Sequence, residues 1–158
     1  MSESLIIQTL KGRKADIPVW FLRQAGRHIP EYFEIRKKEN NFIKFCLNED
    51  LVIESTKLPL KYYNLDAAII FSDILMIPWA MNRNVEFTKN FGPTLEPMVP
   101  QETKILKNIS ISSKLMPLKN SIRYLRNDLP KTVGLIGFAG APWTLASYMI
   151  EGKGSKDF

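Results

Sequence analysis

The sequence predicts an α/β fold in which parallel strands alternate with helices. Two apolar runs and one helical stripe carry that prediction. Ala67–Phe71 and Val133–Phe138 are continuous apolar runs that stop at small or polar residues, the pattern of strands buried on both faces. Between them Leu115, Leu118, Ile122, Leu125 and Leu129 recur at intervals of three and four, which lines one face of an amphipathic helix. Helix, strand, polar loop and helix in succession is the rhythm of βα units.

Each element has a local reason. Pro18–Leu22 is a short apolar run that reads as extended and leads into the polar loop Arg23–Arg27. Pro30 opens a short helix through Lys38, with Glu31 early and Arg36 and Lys37 late, the order the helix dipole favours. Asn48 caps the next helix and places Glu49 and Asp50 in its first turn. Pro59 falls inside that helix, where its ring opposes the carbonyl of Ser55, so a kink or an early end is expected. Residues 82–100 read as a long excursion with turns at Gly92-Pro93 and Pro97. After the second strand, Ala139-Gly140-Ala141 gives way to Pro142, suited to the first position of a helix, and Gly152 suits its end.

Composition narrows the class. Apolar residues make up 45% and charged residues 24% of 158 residues, which fits a globular domain rather than a disordered or low-complexity chain. No apolar stretch approaches the roughly 18 residues needed to cross a bilayer, and Met1–Leu10 lacks the pattern of a secretory signal. One cysteine, Cys46, allows no internal disulfide and sits in the apolar stretch Phe42–Leu47, where it reads as buried and inert. One histidine, His28, makes no conventional metal site. These features point to the reducing cytosol. The 22 Lys and Arg against 16 Asp and Glu give +6. That surplus fits a lysine-rich solvated surface or an anionic partner. No nucleic-acid-binding module is present, which leaves a small polyanion as the sharper choice.

Three places can do chemistry. In Arg23-Gln24-Ala25-Gly26-Arg27 two guanidiniums converge from one turn or tight loop, and Gly26 lets the backbone approach a ligand. Arginine is the preferred fork for carboxylates; phosphate is the other anion that suits it, and surface ion pairing is the plain alternative. Asp73 ends the first apolar strand, where ligands meet α/β sheets. It suits a base, an acceptor for ligand N–H groups, a stabiliser of positive charge, or simply a helix cap. Phe138–Leu145 carries small residues that leave room for a ligand or for close packing, and Tyr148 follows on the next helix, either facing a site or packing half-buried. Walker, Rossmann and zinc-protease motifs are absent. His28, beside Arg27, is a weak candidate for acid–base work because a neighbouring cation opposes its protonation.

Together these stretches resemble the uroporphyrinogen decarboxylase family. PVWFLRQAGR (18–27), DAAIIFSDI (66–74), and IGFAGAPWTL (136–145) with YMIEG (148–152) are similar to three of its signatures, in order and spacing. The resemblance implies a single (β/α)8 TIM barrel, of which residues 18–158 supply the N-terminal portion and residues 1–17 an arm. It implies a cofactor-free, cytosolic carboxy-lyase that removes the four acetate carboxyl groups of uroporphyrinogen III to give coproporphyrinogen III, usually as a homodimer, with no nucleic acid or membrane partner. Arg23 and Arg27 would bind substrate carboxylates, with the Gln24-Ala25-Gly26 backbone lining the same loop. Asp73 would accept pyrrole N–H groups and stabilise the protonated pyrrole, and Tyr148 would lie against the substrate. His28 stands where the family usually carries tyrosine, Trp79 and Asn82 are unusual, and relatives are about twice as long and carry a later histidine this chain lacks. An isolated half-barrel is expected to be inactive and to expose strand edges. A tetrapyrrole-binding remnant and a corrinoid-linked methyltransferase of the same superfamily are the alternatives; zinc in the full-length protein would favour the latter.

Overall fold

The computed structural model describes residues 3–13, 16–22, 24–26, 28–88, 92–102 and 110–153. It divides into two compact units, Met1–Ser72 with Pro117–Phe138 and Asp73–Met116 with Ala139–Phe158.

The first unit is built on a pair of parallel strands, β1 (Ala67–Ile69) and β4 (Gly134–Ile136), in the register Ala67↔Gly134, Ala68↔Leu135 and Ile69↔Ile136. Backbone bonds extend the pair on both sides, from Gly134 N–H to the Asp66 carbonyl and from Ile70 N–H to the Ile136 carbonyl. The expected parallel pairing is present, but each strand is shorter than its apolar run. Only Gly134 of β4 is fully buried, and Phe138 is exposed, so the second run is not buried on both faces.

Helices cover the pair. α1 (Leu5–Leu10), which the sequence reading did not anticipate, packs beside β4, with Ile6 close to Gly134. α2 (Pro30–Lys37) begins at proline and ends in Arg36 and Lys37, as its dipole requires. α3 (Phe42–Leu47) is capped by Asn41, whose side chain accepts from Lys44 N–H, and it buries Cys46 completely. α4 (Glu49–Tyr62) is capped by Asn48, which accepts from Leu51 N–H. The helix does not end early at Pro59: it runs on to Tyr62, and Pro59 C=O accepts from Tyr63 N–H. Pro59 and Leu58 are both buried, and burial of that turn offsets the one hydrogen bond a proline removes. α6 (Met116–Asp128) realises the predicted stripe, with Leu125 and Leu129 buried, although Ile122 is exposed. Two clusters form the core. Ile29, Ile35, Phe45, Leu51 and Leu58 make one, and Val52, Ala68, Ile70, Leu125 and Leu129 the other; Phe71 packs against both.

In the second unit the stretch read as an excursion is a β-hairpin. β2 (Val85–Thr88) pairs antiparallel with β3 (Gly92–Leu95), Val85 opposite Leu95. Both of those side chains are buried, which explains a strand in a sequence otherwise poor in apolar signal. Gly92-Pro93 opens β3 rather than making a free turn. The short helix α5 (Met76–Ala80) precedes the hairpin, and Lys114 lies over the Trp79 ring at 5.4 Å.

α7 (Pro142–Glu151) starts at proline and ends at Gly152 in the left-handed conformation, as expected. Its end is tied to the hairpin strand: Leu95 N–H donates to the Gly152 carbonyl at 2.7 Å, and Met98 N–H to the Met149 carbonyl at 2.8 Å. At Gly152 φ is +77°, and a Cβ there would lie 2.6 Å from the Leu95 carbonyl oxygen. Gly152→Ala is therefore expected to lower stability by about 1–3 kcal/mol, from left-handed strain plus a clash with backbone that cannot swing aside. Denaturant unfolding measures it, and a loss below about 0.5 kcal/mol would mean that the helix end readjusts freely.

Candidate active site

The first unit contains a cavity of about 730 Å³ at the carboxyl ends of its strands. One wall is the loop Gln24-Ala25-Gly26. Another is the end of β1, Ile69 to Ser72. Phe138, just beyond β4, also lines it. This is the end of a parallel sheet where no further strand residues compete for space and the loops are free to shape a pocket.

The loop is brought there by paired contacts. Val19 N–H donates to the Asp66 carboxylate at 2.7 Å, and Asp66 N–H donates to the Val19 carbonyl at 2.9 Å. The apolar segment before the loop is thus extended, as read, and lies along β1 without becoming a strand. Val19, Trp20, Phe21 and Leu22 within it are exposed. Gln24 is buried, and its side-chain amide bonds to the β1 backbone at Ala67 and Ile69. Thr56 of α4 holds the same strand further on: its hydroxyl accepts from Phe71 N–H at 2.9 Å and donates to the Val52 carbonyl at 2.7 Å.

Sequence reasoning missed several residues of the cavity. Tyr32 lines it from α2, and His28 lines it with its ring stacked on Tyr63 at 6.1 Å. Phe71 was part of the predicted strand, but nothing marked it as a cavity wall. From sequence His28 stands only as a weak acid–base candidate and as a departure from the family's usual tyrosine, not as part of a cavity wall.

The expected residues divide between the two units. Gln24, Ala25 and Gly26 come together in the cavity. Arg23 and Arg27 lie outside the described residues. Asp73, the residue after Ser72, begins the second unit. Its Oδ1 accepts from Leu75 N–H at 2.8 Å, a local Asx turn. The helix-cap alternative is not what the structure has, since the N-cap of α5 is Leu75 and no side chain caps that helix. Burial raises the pKa of Asp73 above the ordinary carboxylate value, and the Leu75 hydrogen bond opposes that rise. Tyr148 is half-buried on α7, and its carbonyl accepts from Gly152 N–H. At Gly140 an added Cβ would lie 2.6 Å from the Leu145 side chain and 3.1 Å from Ile74, so there the small residue serves close packing. Around Gly137 there is open space.

Among the described residues no group of three or more His, Cys, Asp or Glu is placed to hold a metal ion, and no helix is long and apolar enough to cross a membrane.

The sequence model of the family described as uroporphyrinogen decarboxylase (URO-D) matches residues 1–158. The chain belongs to the uroporphyrinogen decarboxylase family. Curated URO-D relatives agree. A protein named uroporphyrinogen decarboxylase from Rickettsia rickettsii (strain Sheila Smith) is 46% identical over 153 residues, covering 97% of this chain and 44% of that protein. One of the same name from Chelativorans sp. (strain BNC1) is 43% identical over 158 residues, covering 99% of this chain and 46% of that protein. The chain thus spans less than half the length of the curated URO-D relatives it matches. Among solved structures, a methyltransferase from Methanosarcina mazei matches with a TM-score of 0.68 at 18% identity, over 94% of this chain and 46% of that one. At that identity the likeness is one of fold.

Proposed function

We propose that residues 18–158 supply the N-terminal part of a (β/α)8 barrel, with residues 1–17 as an arm, and that the barrel decarboxylates uroporphyrinogen III to coproporphyrinogen III. One observation carries this reading: in a member of the URO-D family, the loop of the first signature and the strand end of the second line a single cavity. The whole enzyme in this reading is a cytosolic homodimer.

Each residue has a chemical part. Arg23 and Arg27 pair with substrate carboxylates, for which a planar, permanently charged fork is suited. The net charge of +6 favours approach of a substrate with eight carboxylates. The backbone of Gln24-Ala25-Gly26 lines the substrate, and Tyr148 lies against it. Asp73 accepts the pyrrole N–H groups. Protonation of a pyrrole carbon makes a cation, which draws in the electron pair of the acetate C–C bond as CO2 leaves. The exocyclic methylene then takes a proton to become methyl, and the ring proton is released. A fixed carboxylate beside that cation is worth more in a water-poor cleft than in bulk water.

The test is conversion of uroporphyrinogen under anaerobic conditions, with products oxidised to porphyrins and separated by chromatography. The 158-residue chain is assayed alone and mixed with a separately expressed C-terminal portion of a URO-D relative. Conversion is expected only in the mixture. Conversion by the chain alone would overturn the part-barrel reading, and none in either sample would overturn the activity.

A further inference from the structure

Gln24 sits inside the loop assigned above to the substrate, yet its side chain is committed to the backbone of β1. Nε2 donates to the Ala67 carbonyl at 2.8 Å, and Oε1 accepts from Ile69 N–H at 2.9 Å. Strand geometry explains why both groups are available. The Asp66 carbonyl and the Ile70 N–H point to β4. Backbone groups alternate along a strand, so those of Ala67 and Ile69 point to the opposite edge. One carboxamide thus fills a donor and an acceptor on that edge, as a neighbouring strand would. The two sides of this clamp continue directly into the two walls of the cavity: Ala25 and Gly26 follow Gln24, and Ile70 to Ser72 follow Ile69.

We propose that Gln24 is a positioning residue whose carboxamide sets the spacing between the substrate loop and the end of β1. The clamp stands on geometry alone; its consequence for ligand binding rests on the tetrapyrrole reading. A carboxamide is required because it presents one donor and one acceptor side by side. Methionine has similar length and neither group, so it leaves a buried carbonyl and a buried N–H unpaired. Glutamate discriminates further. Ionised, it has no donor for Ala67 and sets its charge against that carbonyl. Protonated, it has an O–H and a C=O and reproduces the carboxamide pattern.

The experiment follows amide hydrogen exchange by NMR, and binding of uroporphyrin by fluorescence, on the 158-residue chain. In Gln24→Met, protection at Ile69 is expected to fall about tenfold or more. It should fall likewise at Ile29, whose N–H is held by the Gly26 carbonyl, while the amides of α4 are unchanged. Uroporphyrin affinity should fall about tenfold. Gln24→Glu should behave like Gln24→Met at neutral pH and recover protection, after correction for intrinsic exchange, as pH falls through about 4–6. That recovery occurs within one protein, so it separates a lost clamp from a failure to fold. Unchanged protection at Ile69 in Gln24→Met, or no recovery in Gln24→Glu, would overturn the clamp. Lost protection with unchanged uroporphyrin affinity would overturn its positioning role. If the unsubstituted chain does not bind uroporphyrin, the tetrapyrrole reading falls, while the exchange pattern still decides the clamp.

Discussion

Asp73→Asn is expected to cut decarboxylation by about 10²–10³-fold in the two-part assay, the usual loss when a preorganised charge stabiliser is removed. The same substitution should make the protein more stable at neutral pH. Asparagine is close in shape, and its side-chain oxygen can still accept from Leu75 N–H. What it removes is the charge that burial disfavours. The pKa of Asp73 is raised by desolvation in the folded chain, so the native state holds this proton more tightly than the unfolded state. The carboxyl group's favourable contribution is therefore full below its unfolded pKa and is lost as pH rises through the folded value. Stability curves of the two proteins should coincide in acid and separate towards neutrality, with the asparagine variant above. Opposite signs for activity and stability mark a residue kept for its charge. A variant within threefold of the normal rate would remove Asp73 from the mechanism, and a variant less stable at neutral pH would remove the desolvation argument.

Phe45→Ala is expected to cost about 3–5 kcal/mol of folding free energy, since Phe45 is the largest fully buried side chain among the described residues. Phe45 is fully buried in the cluster with Ile29, Ile35, Leu51 and Leu58. Its ring meets that of Phe71 edge-on at 5.3 Å and lies under the Arg36 guanidinium at 5.2 Å. Removing it deletes apolar burial, an aromatic contact and a cation–π contact together. Phe71 also lines the cavity, so its loss of support should reach the strand end as well. Urea unfolding gives the value, and Phe45→Leu should recover about half of it by filling much of the space. A loss below about 1 kcal/mol for the alanine variant would show that this cluster collapses without strain.

The parts of the fold that were legible are those set by nearby residues. Asn48, Pro30, Pro142 and Gly152 each act on the adjacent turn, and each has the predicted place. Continuous apolar runs marked the parallel pair, although only the first of them is mostly buried; Leu135 and Ile136 of the second are partly exposed. The hairpin was not legible, since each strand is only four residues long and Gly92-Pro93, which opens the second, looks locally like a turn. The passage of α4 through Pro59 was hidden because packing around that turn outweighs a local rule.

The site shows the same division. The signatures indicated the loop and the strand end, and these do share a cavity. They did not indicate how Gln24 is used, since the β1 edge it binds is distant along the chain. For the same reason Thr56 carried no sign that it would meet Phe71.

The interleaved order of the two units has a consequence during synthesis. β1 emerges from the ribosome long before β4, because the whole of β2, β3 and α6 lies between them. Its edge towards β4 must wait, while Val19 and Gln24, already made, are at hand for Asp66, Ala67 and Ile69. Contacts between distant segments form slowly because loop closure comes before any gain. The nascent chain therefore carries a half-dressed strand through much of its translation, a state open to wrong partners and to chaperones. Val19 and Gln24, whose loop later borders the cavity, would serve first as a temporary guard on that strand.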